Sequence, residues 1–264
     1  MKKDRLDKVL VERGLAETQR KAQAMIMAGL VSSESRNLSK PGQLIDRDQS
    51  LALARRLPYV GRGGLKLEEA LDIFQIEVKD EVCADVGVST GGFTDCLLQR
   101  GAARVYAVDV DVRQIDPKLR RNPRVILIEK NARYVEGADF AELPRIIVMD
   151  VSFISVLKIF PALREVLCPG GLLLSLLKPQ FEAERGRAGK RGVVRDPALH
   201  AGVLRKIAEG AAAMGLSLRG FARCSTRGRK GNREFFGLWV EAPIHPPRET
   251  VLKWIEEVTR DEND

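Results

Sequence analysis

From residue 82 onward, short aliphatic runs alternate with stretches of helical spacing, and this alternation limits the fold more than any other feature. The runs are Val82–Val86, Val105–Asp109, Val125–Glu129, Ile146–Asp150 and Leu172–Leu177. Helical spacing falls at about 65–74, 91–100, 154–167 and 196–214. Strands that alternate with helices predict an α/β chain: a Rossmann-like, doubly wound, mainly parallel sheet with helices on both faces. Leu216–Phe221 and Phe235–Glu241, joined by a basic loop, read as a hairpin closing one edge, and 247–260 as a last helix. In such a sheet the ligand sits beyond the carboxyl ends of the strands, where strand order reverses.

The first strand runs into Asp85-Val-Gly87-Val-Ser89-Thr90-Gly91-Gly92-Phe93-Thr94-Asp95. Glycines allow a sharp turn and close approach to a ligand, and a helix starting at Gly92 presents free amides. Asp109, at the end of the second strand, is placed to accept hydrogen bonds from a ribose diol. The loop fits neither the dinucleotide pattern Gly-x-Gly-x-x-Gly nor a P-loop. Its Asp-x-Gly-x-x-x-Gly-Gly form favours S-adenosylmethionine.

Four more residues should meet at the same rim. Lys66 precedes the first helix of this domain, Asp150 ends the fourth strand, Lys178 ends the fifth, and Glu234 starts the last. Two lysines and two carboxylates can orient and deprotonate a hydroxyl, with a lysine in a partly dry cleft taking the proton. Asp150-Val151-Ser152-Phe153 lacks the prolines with which base-amino methyltransferases grip an amino group. Cys168 lies at the wrong end of the fifth strand to act as a nucleophile for carbon methylation. An oxygen acceptor remains.

The net charge of +8 over 264 residues is unevenly spread. Residues 1–62 hold 13 Lys/Arg against 7 Asp/Glu, so most of the excess lies in the first quarter of the chain. A small basic module of this kind suits a polyanion. Leu6, Val9 and Leu10 have helical spacing over 5–13, and Thr18 can cap a second helix bearing Ala22, Met25 and Ile26. Short strand-like runs follow at Leu30–Ser32, Leu44–Ile45 and Leu51–Leu53. The run RLDKVLVERGLAETQRKAQAMIMAGLV…KPG resembles the alpha-L RNA-binding fold of a small-subunit ribosomal protein. The resemblance implies Arg5, Arg20 and Lys21 as phosphate contacts; Arg227, Arg229 and Lys230 of the basic loop near the C-terminus are expected as further RNA contacts. The expected division is an α+β RNA-binding domain at 1–56, a linker at 57–60 and a methyltransferase domain at 61–264.

VSTGGFTD, AVDVD, NAR, MDVSF, KPQFE and RGVVRDP, in this order, resemble the TlyA family, which joins that module to an FtsJ-like methyltransferase domain. The family implies ribose 2′-O-methylation of cytidine in ribosomal RNA through Lys66, Asp150, Lys178 and Glu234. It also implies S-adenosylmethionine held by Asp85, Gly87, Ser89, Thr90, Gly91, Gly92, Phe93, Asp109 and Asp150, with adenine-side contacts near Asn131. Where family members commonly carry Ser-Pro-Ile before the last strand, this chain has Ser225-Thr226-Arg227. Where they carry Gly-Tyr-Gly after the second strand, it has Asp111-Val112-Arg113.

The family's haemolysin label sets a membrane-active protein as the rival class, and a non-catalytic RNA-binding protein as a third. The apolar stretch Leu172–Leu177, interrupted by Ser175, is far short of the roughly 20 residues of a membrane span. Cysteines at 83, 96, 168 and 224 form no close pair and have no histidine nearby, so no metal is expected and a reducing cytoplasm is.

Overall fold

The computed structural model describes residues 3–27, 29–33, 36–38, 40–53, 58–183, 192–228 and 231–260. Residues Ala54–Leu57 of the expected boundary, and Arg229 and Lys230 of the basic loop, lie outside them. The chain divides into two compact units, Met1–Arg62 and Gly63–Asp264.

In the first unit, Leu6, Val9 and Leu10 place one apolar stripe on helix α1 (Leu6–Glu12), and all three are buried. Thr18 Oγ1 accepts the Lys21 N–H at 3.1 Å, capping α2 (Gln19–Met27), which buries Ala22 and Ile26. The strands are β1 (Lys3–Arg5), β2 (Val31–Ser33), β3 (Arg36–Asn37), β4 (Leu44–Asp46) and β5 (Ala52–Leu53). β1 pairs antiparallel with β4, and β2 pairs antiparallel with both β3 and β5. The polar run Lys3–Arg5 carries no hydrophobic pattern; it is a strand because its backbone lines up with Leu44–Asp46.

The second unit begins with helix α3 (Gly63–Ile73) and then alternates as expected. Its elements are β6 (Val82–Val86), α4 (Gly92–Gln99), β7 (Arg104–Asp109), α5 (Pro117–Arg120), β8 (Val125–Glu129) and β9 (Ile146–Met149). There follow α6 (Phe160–Val166), β10 (Leu172–Leu177), α7 (Pro179–Glu182), α8 (Pro197–Ala213), β11 (Leu216–Arg223), β12 (Phe235–Glu241) and α9 (Arg248–Thr259). The sheet has seven strands in the order β11-β12-β10-β9-β6-β7-β8. β6 to β10 are parallel, and β12 and β11 close one edge antiparallel. Strand order reverses beside β6, whose neighbours are β7 and β9.

The span 154–167 is not one helix. A 3₁₀ turn at Val156–Lys158 precedes α6, and Pro161 in its first turn has no N–H to continue a helix from upstream. The sheet core contains Tyr106, Ile147, Leu173, Phe235 and Trp239, all at most 1% exposed. Trp239 Nε1 donates to Ser175 Oγ at 2.8 Å, satisfying both polar groups inside that core.

Candidate active site

Strand register brings the chemistry-bearing residues to one rim. Leu177 pairs with Phe235 across β10 and β12, so Lys178 and Glu234 face each other one step further along. Met149 pairs with Ser175 on one side and Val86 on the other, which puts Asp150 next along the same edge. The Asp150 N–H donates to the Val86 carbonyl at 2.9 Å, and the Gly87 N–H to the Val108 carbonyl at 2.8 Å. The rim therefore reads Glu234, Lys178, Asp150, Gly87, Asp109.

Two lysine–carboxylate pairs form there. Lys66, expected just before the first helix, lies inside α3 because the helix already starts at Gly63, and it reaches Glu234 Oε2 at 2.5 Å, with side chains 12% and 3% exposed. Lys178 Nζ lies 2.5 Å from Asp150 Oδ1 and donates to Ser152 Oγ at 3.0 Å. Buried charges persist where a counter-charge is in contact, and both lysines have one. Burial pushes the Cys224 thiol up to about 12, and the nearby charges of Lys66, Glu69, Glu234 and Asp150 act on it as well. Members of both pairs therefore share one electrostatic neighbourhood.

Asp85 lies beneath the rim, 1% exposed. Its Oδ2 accepts the Thr94 N–H at 2.8 Å and the Thr94 hydroxyl at 2.7 Å, while Oδ1 is buried without a hydrogen-bond partner. Burial pushes its carboxyl up to about 7; the two Thr94 hydrogen bonds oppose this, and Asp150 and Asp109 add to it. An orphaned carboxylate oxygen at this depth fits a ligand carrying positive charge, as S-adenosylmethionine does on its ammonium and sulfonium groups.

Asp109 Oδ2 accepts the Ser89 N–H at 2.9 Å and Oδ1 the Asp111 N–H at 3.2 Å. Each oxygen keeps a lone pair for a diol. The loop glycines serve the chain itself. A Cβ on Gly87 (φ +88) would strike the Asp150 carbonyl, and one on Gly91 (φ +94) would strike Leu119.

The other expected cofactor contacts have these surroundings. The Phe93 ring is buried against Phe236 with centroids 6.2 Å apart, so it belongs to the core, and only its backbone is left for a cofactor. Asn131 is exposed and its Oδ1 accepts the Arg133 N–H at 3.0 Å, capping a 3₁₀ turn. Thr90 is exposed, its carbonyl accepting the Asp116 N–H at 3.1 Å, and Gly92 opens α4.

Of the basic residues expected on RNA, Arg5 is half-exposed and tied to a neighbour. Its guanidinium grips the buried Asp7 at 3.0 and 2.7 Å, and Asp7 also accepts Gln19 and Gln23. Lys21 pairs with Glu17 at 2.8 Å, Arg20 is exposed, and Arg227 is exposed on the loop before β12.

Sequence reading did not single out Phe153. It is 89% exposed with φ +66, three residues beyond Asp150, and its ring lies 4.8 Å from that of Phe181. A bulky non-glycine residue in that conformation is strained, and strain of this kind gathers at functional sites. The aromatic after the fourth strand was the available signal. Lys178 lies over the Phe181 ring at 6.0 Å, tying this aromatic pair to the rim.

Residues 59–239 match the FtsJ-like methyltransferase family, and residues 4–47 the S4 domain. YqxC of Bacillus subtilis (strain 168), a candidate rRNA methyltransferase by name, is 51% identical over 265 residues, covering 97% of this chain and 94% of that protein. The 16S/23S rRNA (cytidine-2'-O)-methyltransferase TlyA of Mycobacterium tuberculosis is 38% identical over 239 residues, 89% of each chain. A solved structure from Streptococcus thermophilus, described as a candidate hemolysin, superposes with TM-score 0.75 at 40% identity, covering 98% of this chain and 96% of that one. Among the described residues no helix is long and apolar enough to cross a membrane. Matched across its sheet, its rim and its N-terminal unit alike, the chain belongs to the FtsJ-like methyltransferase family and carries an S4 domain at its N-terminal end.

Proposed function

We propose that this protein methylates the ribose 2′-hydroxyl of a cytidine in ribosomal RNA, in the cytoplasm, using S-adenosylmethionine. The observation that carries the reading is the pair of lysine–carboxylate contacts, Lys66–Glu234 and Lys178–Asp150, at one rim of the sheet beside the Asp85–Asp95 turn and Asp109. S-adenosylmethionine, when bound, supplies an electrophilic methyl group on a sulfonium. Asp85 is the residue to face its positive charge and Asp109 its ribose diol, with the Ser89–Gly92 backbone between them. Asn131 lies toward the adenine.

Lys178 and Asp150 would hold the substrate hydroxyl in line with the methyl group, with Lys178 the residue to take its proton as the oxygen–carbon bond forms and the sulfur–carbon bond breaks. Alignment of the two reactants supplies much of the acceleration. Lys66 and Glu234 brace this pair and balance the changing charge. Arg20, Lys21 and the loop residues Arg227, Arg229 and Lys230 supply phosphate contacts, which position RNA without reading its sequence.

The test is transfer of a tritiated methyl group to ribosomal RNA by the purified protein, with 2′-O-methyl sites mapped in RNA from cells with and without it. Lys178→Ala should abolish transfer while S-adenosylmethionine and RNA still bind, because a transition-state interaction is lost and ground-state affinity is not. Lys178→Arg should restore little, since a guanidinium keeps its proton. Wild-type turnover in Lys178→Ala would refute the assignment.

A further inference from the structure

Glu234 is a carboxylate 3% exposed with Lys66 on one side. Its other side is closed by backbone. A Cβ built on Gly228 would overlap Glu234 Oε1, so the loop between β11 and β12 forms the wall of the carboxylate's site. The position of that wall is set from within the loop. The Gly228 N–H donates to the Asn232 carbonyl at 2.9 Å, and the Gly231 N–H to the Gly228 carbonyl at 3.0 Å.

Asn232 itself is anchored elsewhere. Its side chain is buried, Oδ1 accepting the Val194 N–H at 2.9 Å and Nδ2 donating to the Gly192 carbonyl at 3.2 Å. A continuous set of contacts thus runs from Gly192 and Val194, through Asn232 and Gly228, to the carboxylate that holds Lys66. Arg227 is exposed on the same loop.

We propose that Asn232 and Gly228 are positioning residues which seat Glu234 on Lys66, so that this loop sets the rate of methyl transfer without contributing to cofactor affinity. The proposal rests on the methyl-transfer reading for its kinetic consequence, while its structural content stands alone. Packed interiors transmit displacement because they have no free volume to absorb it, and misplacing a catalytic group by about 1 Å can cost on the order of 10²-fold in rate.

The experiment compares full-length Gly228→Ala, Asn232→Ala, Glu234→Ala and the double variant Gly228→Ala/Glu234→Ala. Gly228→Ala and Asn232→Ala should each lower kcat on the order of 10²-fold, with the Michaelis constant for rRNA and the S-adenosylmethionine Kd unchanged. The double variant should be no slower than Glu234→Ala, because once the carboxylate is gone its seat has nothing to hold. Additive losses, a change confined to the RNA Michaelis constant, or wild-type kcat in Gly228→Ala would overturn the proposal.

A crystal structure of Gly228→Ala supplies a readout free of activity. Glu234 displaced from Lys66 supports the positioning role even if the wild-type protein methylates no ribosomal RNA, in which case only the functional reading fails. An intact Lys66–Glu234 contact in that variant, with wild-type methylation present, defeats the positioning role alone.

Discussion

Asp85 is an acid whose surroundings favour the proton, with Oδ1 unpartnered, Asp150 and Asp109 nearby and its carboxyl raised to about 7. A bound cation reverses that preference, since it stabilises the charged carboxylate. Binding of S-adenosylmethionine should therefore release a proton from Asp85 below about pH 7. Affinity should rise with pH up to that point and level off above it. Calorimetry in two buffers of different ionisation enthalpy measures the proton count directly. In Asp85→Asn the pH dependence should vanish, and net proton uptake by the wild type would contradict the assignment. Phe153 makes a second point at this scale. Its exposure costs apolar contact with water and its φ costs strain, so the fold gains nothing obvious from it beyond its contact with Phe181.

In the N-terminal unit, helix α1 is joined to α2 through one carboxylate. Asp7 accepts from Arg5, Gln19 and Gln23, which links the chain before α1 to the first two turns of α2. The Arg5 hydrogen bond is the main reason the Asp7 carboxyl sits far below its ordinary value of 3.8; burial opposes it, and the two glutamine amides assist. A carboxyl depressed in the folded state stabilises the fold above its unfolded pKa, and that contribution is lost as pH falls from about 4 toward the folded value. Hydrogen exchange over residues 3–27 should therefore lose protection on acidification below about pH 4. At neutral pH, Asp7→Ala should weaken the unit by about 1–3 kcal/mol, the scale for stranding buried donors. Unchanged protection in that variant would show that the apolar stripe of Leu6, Val9 and Leu10 suffices.

At the scale of the whole molecule, charge and chemistry fall in different parts of the chain. Residues 1–62 carry a net +6 of the total +8, whereas the rim residues lie between Lys66 and Glu234. The second unit has its own core around Tyr106, Phe160 and Trp239. Removing residues 1–56 should raise the Michaelis constant for ribosomal RNA and flatten its salt dependence, because fewer counterions are released. The S-adenosylmethionine Kd should stay unchanged. Salt titration of RNA binding by the full and shortened chains measures both slopes, and equal slopes would place the RNA contacts in the second unit.

The sheet was legible from its aliphatic runs: the inner strands are buried on both faces, and the edge strand β8 is only partly covered. Val82–Val86, Val125–Glu129 and Leu172–Leu177 stand where their aliphatic runs placed them. Part of the rim was legible for a related reason: Asp150 and Lys178 follow parallel strands, and residues so placed converge. Lys66 stands on α3 and Glu234 precedes the antiparallel β12, and sequence spacing did not show that these two pair across 168 positions. Hydrophobic periodicity shows that a face is buried, not what it meets. The Phe93 ring packs in the core, the Arg5 guanidinium holds Asp7, and Gly87 leaves room for the Asp150 carbonyl. Each of those outcomes depends on a neighbour far along the chain, and only the packed structure brings that neighbour into contact.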